Sequence, residues 1–298
     1  MLIAAGALLG CATPPPTVTF TPELTPSSEP TALPTATVTA SPTATLTRTP
    51  RPTRTPRPTA TPVPVTWDTI GVGIERARLP VPLAGLDVTA FAYALRLDPA
   101  RVTFRVHYES DNPRDVVQWR EDLGAAIVIN GSFFSGDFRP VGRIVSEGFL
   151  YGFPLDYPED SIGVPGLFTI LEDEAAIFSA GRAEFTPRGM RFDAALECYP
   201  MLLLPGGQPG FSEETGLVAR RSVVGVDTEG NVLLIVVDVP ALTLFQLARW
   251  LADLDLDLDS ALNLDGGRST GLAVNIGAEQ LGIPSVVEVP IVLAVYPR

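Results

Sequence analysis

Residues 12–66 constrain the fold more than any other part of this sequence, because they consist almost wholly of Thr, Pro, Ala, Ser and Val. Four arginines, from Arg48 to Arg57, recur there within Thr-Pro-Arg-Pro repeats. Such a segment has too little apolar bulk to offset the entropy of ordering, and its prolines favour extended polyproline II. We predict a disordered, semi-rigid stalk at 12–66, which leaves residues 67–298 to form one domain with a sizeable core.

The first eleven residues have the pattern of an export signal. Leu2 to Gly10 is an apolar run too short to span a bilayer, and it ends in Leu8-Leu9-Gly10-Cys11, a lipoprotein-type sequence. Residues 1–11 are therefore predicted to be a signal segment that leaves the protein at the cell surface, anchored to the membrane through a lipid on Cys11. The alternative is a cleaved secretory signal without an anchor.

The charge of the predicted domain limits its partners. Every basic residue of the chain is arginine, and residues 67–298 hold 17 arginines against 32 acids, which gives a formal charge of −15. A field of that sign argues against nucleic acid or an anionic membrane surface as a partner. It allows a small anionic substrate, because one or two arginines can dominate a local pocket.

Hydrophobic periodicity and capping signals predict an α+β domain, a single mixed-sheet unit with a few packed helices. The predicted elements include a strand over 101–108, a helix from Asn112 to Gly124, a strand over 125–129, an irregular hairpin within 138–152, a hairpin of 222–226 and 232–239, a helix capped by Thr243 with Gln246, and a strand over 286–295 broken by Pro290. The proline suggests that the last strand lies at an edge or contains a bulge.

Several reactive residue types are predicted to have structural roles. His107, the only histidine, falls on the polar side of a strand, so Ser-His-Asp and multi-histidine metal schemes are disfavoured. Cys198, the only cysteine besides Cys11, is predicted to be a buried, inert thiol. The alternating acids at 253–259 lack the glycine and terminal glutamate of a calcium loop, so a solvated edge with inward leucines is predicted there. No metal or cofactor is predicted.

The candidate site is a short strand that runs into an acid and two glycines. After the apolar alternation of 261–264 come Asp265, Gly266 and Gly267, so a carboxylate is delivered to a strand end next to a backbone that can approach a ligand closely. Asn130 and Gly131 repeat this arrangement after the strand at 125–129. The alternative at both places is an Asp-Gly or Asn-Gly turn.

The order of these motifs resembles the phosphodiester glycosidase family. The matching segments are Asn130-Gly131-Ser132-Phe133-Phe134, the turn region of Pro140, Gly142 and Gly148, Tyr199-Pro200-Met201-Leu202, Arg221 with the strand to Gly225, the helix after Leu242, and Asn263-Leu264-Asp265-Gly266-Gly267-Arg268-Ser269-Thr270. The resemblance covers most of residues 125–270. It implies a mixed α+β domain that hydrolyses the bond between a sugar anomeric carbon and a phosphodiester oxygen in cell-surface or extracellular glycans.

Roles for the site residues follow from that chemistry. Arg221 suits a bidentate clamp on the phosphate, and Asp265 is the candidate base or nucleophile. Asn130, the third catalytic candidate, and Asn263 would hold sugar hydroxyls or an acyl amide. The other predicted substrate-binding residues are Gly131, Gly266 and Gly267, whose amides would line the oxygens, together with Arg268, Ser269 and Thr270.

Arg268 stands where the family usually has a third glycine. A bulky cation therefore enters a loop that normally lets a ligand approach. Two interpretations follow: the substrate differs, or Arg268 supplies an additional phosphate contact.

Two other classes of function remain open from the sequence. One is a wall-polysaccharide binder without catalysis, in which Arg268 marks a lost activity. The other is a metal-dependent phosphodiesterase that cuts the phosphorus–oxygen bond and uses Asp265 with the acids of 253–259 as ligands. The sequence does not distinguish the sugar, the anomeric configuration or the oligomeric state.

The lipid anchor predicts a simple result. Replacing Cys11 with Ser removes the only thiol that can be lipidated in the signal, so the Cys11→Ser protein should leave the membrane fraction for the soluble fraction. Fractionation of expressing cells measures this, with Cys198→Ser as the matched control, which should stay membrane-bound. Membrane retention of Cys11→Ser would contradict the lipoprotein assignment.

Overall fold

The computed structural model describes residues 62–83, 89–156, 161–180, 192–214 and 216–298. The predicted signal at 1–11 and the predicted stalk up to residue 61 lie outside these residues. Val63 pairs with Leu254 in an isolated parallel bridge, so ordered contacts begin four residues before Trp67. In the described part of the chain, no helix has the length and apolar character needed to cross a membrane.

The described residues form eighteen strands and two helices. In chain order they are β1 Asp68–Gly71, β2 Ile74–Pro82, β3 Thr89–Leu97, β4 Val102–Tyr108, α1 Val116–Leu123, β5 Ile127–Asn130, β6 Ile144–Ser146, β7 Phe149–Tyr151, β8 Gly166–Leu171, β9 Glu174–Ser179, β10 Ala194–Cys198, β11 Met201–Leu204, β12 Gln208–Pro209, β13 Ala219–Asp227, β14 Val232–Leu242, α2 Leu244–Asp253, β15 Leu258–Asn263, β16 Leu272–Ile276, β17 Glu279–Ile283 and β18 Ile291–Pro297.

The strands build three sheets. One has eight strands in the order β1-β2-β3-β14-β13-β15-β11-β12, one has five in the order β7-β6-β10-β8-β9, and the third has five in the order β17-β16-β5-β18-β4. Every pair of neighbouring strands within them is antiparallel. The domain is therefore mostly β with antiparallel sheets, and the predicted mixed sheet is wrong. Short connections join many of these strands, and hairpins pair antiparallel.

A core shared by the three sheets holds the domain together. Phe104 and Ile129 from the β5 sheet, Phe168 from the β8 sheet and Val224 from the eight-stranded sheet all belong to it. The outer face of the eight-stranded sheet is covered by α2, and that of the β5 sheet by α1. Residues 223–226 of β13 and 232–237 of β14 are buried on both faces, so these parts of the two strands are apolar throughout instead of alternating.

Both predicted helices are present, with one change of boundary. Thr243 caps α2 through the predicted capping box with Gln246. Helix α1 ends at Gly124, as predicted, but begins later because Asp115 is its N-cap and accepts from the amides of Val117 and Gln118. The predicted cap at Asn112 is therefore wrong. Arg114, between the two positions, pairs with Val289 in an isolated antiparallel bridge, which delays the helix.

Three further sequence predictions concern the last strand, the leucines of 254–258 and His107. Pro290 precedes β18, and β18 lies between β5 and β4, so the strand is central and the predicted edge position is wrong. Leu254 and Leu256, between α2 and β15, and Leu258, the first residue of β15, are buried, which confirms the inward leucines. His107 lies on β4 as predicted but is only partly exposed, and its Nε2 lies 3.1 Å from the Tyr296 hydroxyl.

A buried ion pair links the irregular segment before β6 to β10. The Nε and Nη2 atoms of Arg143 donate to the two carboxylate oxygens of Glu197 at 2.8 and 3.0 Å. The same carboxylate accepts the backbone amides of Arg143 and Leu155. Glu197 is 1 % exposed, so all of its hydrogen bonding comes from protein. Such a pair depends on both partners being present, because one left alone is an uncompensated buried charge.

Glu197→Gln should lower the free energy of unfolding by about 3 kcal/mol, since Gln keeps the shape but leaves Arg143 buried without a counter-ion. Urea denaturation measures the loss. The matched control is Asp173→Asn, which breaks the solvent-exposed ion pair with Arg298 and should change the stability little. Equal stability of Glu197→Gln and the wild-type protein would contradict the role given to this pair.

Candidate active site

The candidate site lies where the chain passes from one sheet to another. Strand β15 ends at Asn263 in the eight-stranded sheet, and residues 264–271, here called the Asp265 loop, lead to β16 in the five-stranded sheet that contains β5. The Leu264 amide donates to the carbonyl of Ser222, and the Asp265 amide donates to that of Gly131. The loop is thus held against the end of β5 on one side and β13 on the other.

Asn130 is the fixed point of this junction. It is fully buried, and its Oδ1 accepts from the Ser222 hydroxyl at 2.6 Å and from the Gly271 amide at 3.1 Å. Its Nδ2 donates to the Asp265 carbonyl at 2.6 Å. The sequence predicted that Asn130 holds the substrate. In the structure these hydrogen bonds to protein fix both ends of the Asp265 loop, and the predicted contact with the substrate stays a prediction.

Asp265 has the environment of a reactive carboxylate. It is partly buried, and the loss of water contact raises its pKa to about 6. Hydrogen bonds from the Ser269 side chain and the Gly266 amide oppose this shift by stabilising the charged form, so burial is the larger effect. A carboxylate with a pKa in this range exchanges protons near neutral pH, which suits acid–base work.

Arg221 lies beside the loop as a cation without a matched anion. It is 6 % exposed, and its Nε and Nη2 donate to the carbonyls of Leu242 and Leu217. No carboxylate among the described residues lies within 4 Å of it. Its Nη1 would lie 3.8 Å from a Cβ added to Gly266, which places this nitrogen next to the loop. Burial lowers the pKa of Arg221. A buried guanidinium of this kind is suited to an anionic ligand.

The three glycines of the predicted site have roles in backbone conformation, backbone hydrogen bonding and close packing. The Gly267 amide donates to the Arg220 carbonyl at 2.8 Å, and Gly267 has a φ of 61°. Gly131 has no room for a side chain, since an added Cβ would lie 2.6 Å from a methyl carbon of Ile291. With the Gly266 amide directed at Asp265, both loop amides that were predicted to line phosphate oxygens have protein acceptors in this conformation.

The remaining predicted residues surround this centre. The Nδ2 of Asn263 donates to the Tyr199 carbonyl, while its Oδ1 is buried and has no hydrogen-bond partner among the described residues. The same holds for Oγ1 of Thr270. Ser269 is buried against the Asp265 carboxylate. Arg268 is exposed at the outer side of the loop, where its carbonyl accepts the Val286 amide at 2.7 Å.

Sequence reasoning missed two residues of this site. Ser222 is a fully buried hydroxyl on β13, and it donates to Oδ1 of Asn130. Ser132 follows Gly131, and its buried Oγ has no partner among the described residues. Ser222 directly follows Arg220 and Arg221 in the sequence, so no local pattern marks it as a residue of the site.

The hypothesis of a metal-dependent phosphodiesterase requires Asp265 and the acids of 253–259 to lie close together. Asp259 lies near the start of β15, and Asp265 lies beyond its end, so about six residues of extended chain, roughly 20 Å, lie between them. One metal ion cannot bridge that distance. Among the residues that the structure describes, no three His, Cys, Asp or Glu side chains form a group that could hold a metal ion.

Comparison with known proteins adds an independent observation. The sequence model of the phosphodiester glycosidase family matches residues 123–295, more than half of the chain. The catalytic domain of zebrafish N-acetylglucosamine-1-phosphodiester alpha-N-acetylglucosaminidase, auto-inhibited by its pro-peptide, matches with a TM-score of 0.55 and 17 % identity over 78 % of this chain and 88 % of that chain. A hypothetical protein from Synechocystis matches with a TM-score of 0.50 and 18 % identity over 79 % of this chain and 64 % of that chain. These two structures share the fold. No curated protein sequence matches the chain.

The pKa of Asp265 predicts how stability depends on pH. The folded pKa is raised from 3.8 to about 6, so the unfolded chain ionises first and stability is lost as the pH rises from about 4 to 6. Asp265→Asn removes this loss and should stabilise the protein by about 3 kcal/mol at pH 7.5, with the gain shrinking toward pH 4. Urea denaturation at several pH values measures it, with the exposed Asp255→Asn as control. A gain that does not vary with pH would contradict the assigned pKa.

Proposed function

The chain belongs to the phosphodiester glycosidase family, and from this premise we propose that it hydrolyses a sugar-1-phosphodiester, cleaving the bond between the anomeric carbon and a phosphate oxygen. The observation that carries the proposal is that two groups lie around Gly266, one on the Asp265 loop and one on β13. Asp265, a carboxylate with a raised pKa, directly precedes Gly266. Arg221, a buried cation that has no carboxylate partner among the described residues, has its Nη1 3.8 Å from the position of a Cβ added to Gly266. An acid–base group next to an anion site is what this reaction requires.

The leaving group determines whether protonation or charge stabilisation contributes more to catalysis. Cleavage at the anomeric carbon expels a phosphate monoester, whose second ionisation lies near pH 6, so it needs less protonation than an alcohol does. The positive charge of Arg221 stabilises the negative charge that develops on the phosphate oxygens. Burial strengthens this effect, because the dielectric around Arg221 is lower than that of water.

Asp265 then acts at the sugar. Above its pKa of about 6 it is ionised, and in this form it activates water as a base or attacks the anomeric carbon as a nucleophile. Ser269 and the Gly266 amide hold one orientation of the carboxylate. The two roles differ in the stereochemical outcome, inversion for the base and retention for the nucleophile.

Other residues of the loop shape the substrate. Asn263 and Thr270 have buried side-chain oxygens without a hydrogen-bond partner in the described part of the chain, and we assign them to hydroxyl or acyl amide groups of the sugar. Arg268, exposed at the outer side of the loop, is assigned to the phosphate or to the group beyond it. This arginine distinguishes the chain from relatives with glycine at the position.

The place of action follows from the beginning of the chain. The lipoprotein-type sequence ending at Cys11 and the Thr/Pro-rich stalk support an exported enzyme, held at the cell surface and reaching outward to glycans. The excess of acids in the domain keeps it away from anionic lipid, so the lipid and the stalk, and not the domain surface, make the membrane contact.

The wild-type protein should hydrolyse members of a panel of sugar-1-phosphodiesters, with oxygen-18 from labelled water appearing in the sugar and not in the phosphate. Asp265→Asn should lower the turnover number by on the order of a hundredfold or more, because it removes the charge and basicity but keeps the shape. Asp255→Asn, on the exposed part of the chain before β15, is the matched control and should keep normal turnover.

Three results would contradict the proposal in different ways. Label in the phosphate would mean that the phosphorus–oxygen bond is cut. Near-normal turnover in a stable Asp265→Asn protein would end the catalytic assignment of this residue. Binding of sugar phosphodiesters without turnover by the wild-type protein would leave a binding domain.

A further inference from the structure

Exposed apolar side chains run along β7, which lies at the edge of a five-stranded sheet, and continue just beyond its end. Phe149 and Leu150 are each more than half exposed, Tyr151 is also exposed, and Phe153 just beyond the strand is 81 % exposed. Aromatic surface of this extent on an edge strand favours aggregation unless it has a use. The run therefore marks a surface suited to binding.

Two of these aromatic residues line a groove. Tyr151 and Phe153 form one side of a cavity of about 490 Å³ that does not include Asp265 or Arg221. Tyr108, at the end of β4, contacts Tyr151 edge to face with 5.0 Å between the ring centroids. This contact fixes the ring of Tyr151, so binding a ligand against this ring costs little further conformational entropy.

Polar residues line the rest of the groove. Ser110 and Asp111 follow Tyr108, and Asp137 and Arg139 come from the turn after β5. Asp137 accepts a hydrogen bond from the Ser135 hydroxyl, and the Nε of Arg139 lies 3.0 Å from Oδ2 of Asp137. Asp111 accepts the hydroxyl of Ser110 at 3.2 Å. The groove thus has two carboxylates to one guanidinium.

The backbone around the groove is held in unusual conformations. Phe138 has a φ of 59°, which is rare for a bulky residue, and its ring stacks on Phe134. Gly152 has a φ of 75°, and a Cβ there would lie 2.1 Å from the Gly142 carbonyl oxygen. Strain and close approach of this kind are retained at functional sites, where they fix the geometry.

We propose that this groove, lined by Tyr108, Asp111, Tyr151 and Phe153, is a binding site for a neutral saccharide. Flat aromatic rings pack against the C–H faces of a sugar ring, and carboxylate and hydroxyl oxygens accept hydrogen bonds from its hydroxyls. The volume accommodates one or a few sugar units. The combination of aromatic faces with short acidic side chains suits a ligand that is apolar on its faces and rich in donors at its rim.

The charges argue against the other occupants of an apolar groove. A net negative lining repels anionic lipid and nucleic acid. It also differs from the centre of a protein–protein interface, where Asp is depleted. Neither of these arguments applies to a neutral saccharide.

One of the three segments that line the groove, Asp137 to Pro140, belongs to the loop that follows Asn130 at the end of β5. Asp137 follows Asn130 by seven residues, so their Cα atoms are at most about 25 Å apart. A glycan chain of moderate length can therefore reach both places. Only this last step rests on the proposed function: the groove would hold the part of the glycan beyond the cleaved phosphodiester.

Titration of the full-length wild-type protein with short neutral oligosaccharides that contain no phosphodiester tests the site without requiring turnover. Calorimetry and NMR should show saturable binding, and Phe153→Ala should weaken it about tenfold or more, as should Asp111→Ala. The matched control is Phe91→Ala, a similarly exposed aromatic residue of the eight-stranded sheet, which should keep wild-type affinity.

The outcomes separate the two proposals. Binding lost in Phe153→Ala and kept in Phe91→Ala supports the groove, even if the wild-type protein hydrolyses nothing, in which case the proposed catalysis alone fails. Absence of saturable binding to every neutral saccharide, or equal binding by both variants, overturns the groove. Self-association or vesicle binding that Phe153→Ala abolishes, without saccharide binding, overturns it in favour of those partners.

Discussion

The site depends on one buried amide. Asn130 accepts from Ser222 and Gly271 and donates to the Asp265 carbonyl, so three chain segments from two sheets share a single side chain. Each of these bonds lies away from water, where losing one partner leaves the other polar group unsatisfied at a cost of about 1 to 3 kcal/mol. The Asp265 loop is consequently fixed at both ends, and the glycines within it supply the remaining close approaches.

That fixed backbone allows two charged groups to be kept in costly positions. Burial raises the pKa of Asp265 and lowers the pKa of Arg221, so each is less favourable in its charged form than it would be in water. The buried pair of Arg143 and Glu197 shows the opposite solution, in which two charges neutralise each other and their hydrogen bonds are all satisfied. Arg143 thus has a carboxylate partner inside the protein, whereas Arg221 has none among the described residues.

Local sequence patterns predicted the local structure well. The capping box at Thr243, the hairpin of β13 and β14, and the αL end of α1 at Gly124 each depend on residues close together in the chain. The errors arose where distant contacts decide. The first turn expected at Asn112 was lost because Arg114 pairs with Val289, and the last strand became central because β4 and β5 flank it.

The sequence by itself predicted a stalk over residues 12–66, and it determined that an acid follows the strand at 261–264 and that the order of motifs belongs to one family. These depend on composition and on neighbouring residues. Only the tertiary structure decided that the sheets are antiparallel, that Asn130 holds the loop, and that Asp265 has a raised pKa. Pairing, burial and desolvation are properties of segments that lie far apart in the chain, and no local pattern encodes which of them meet.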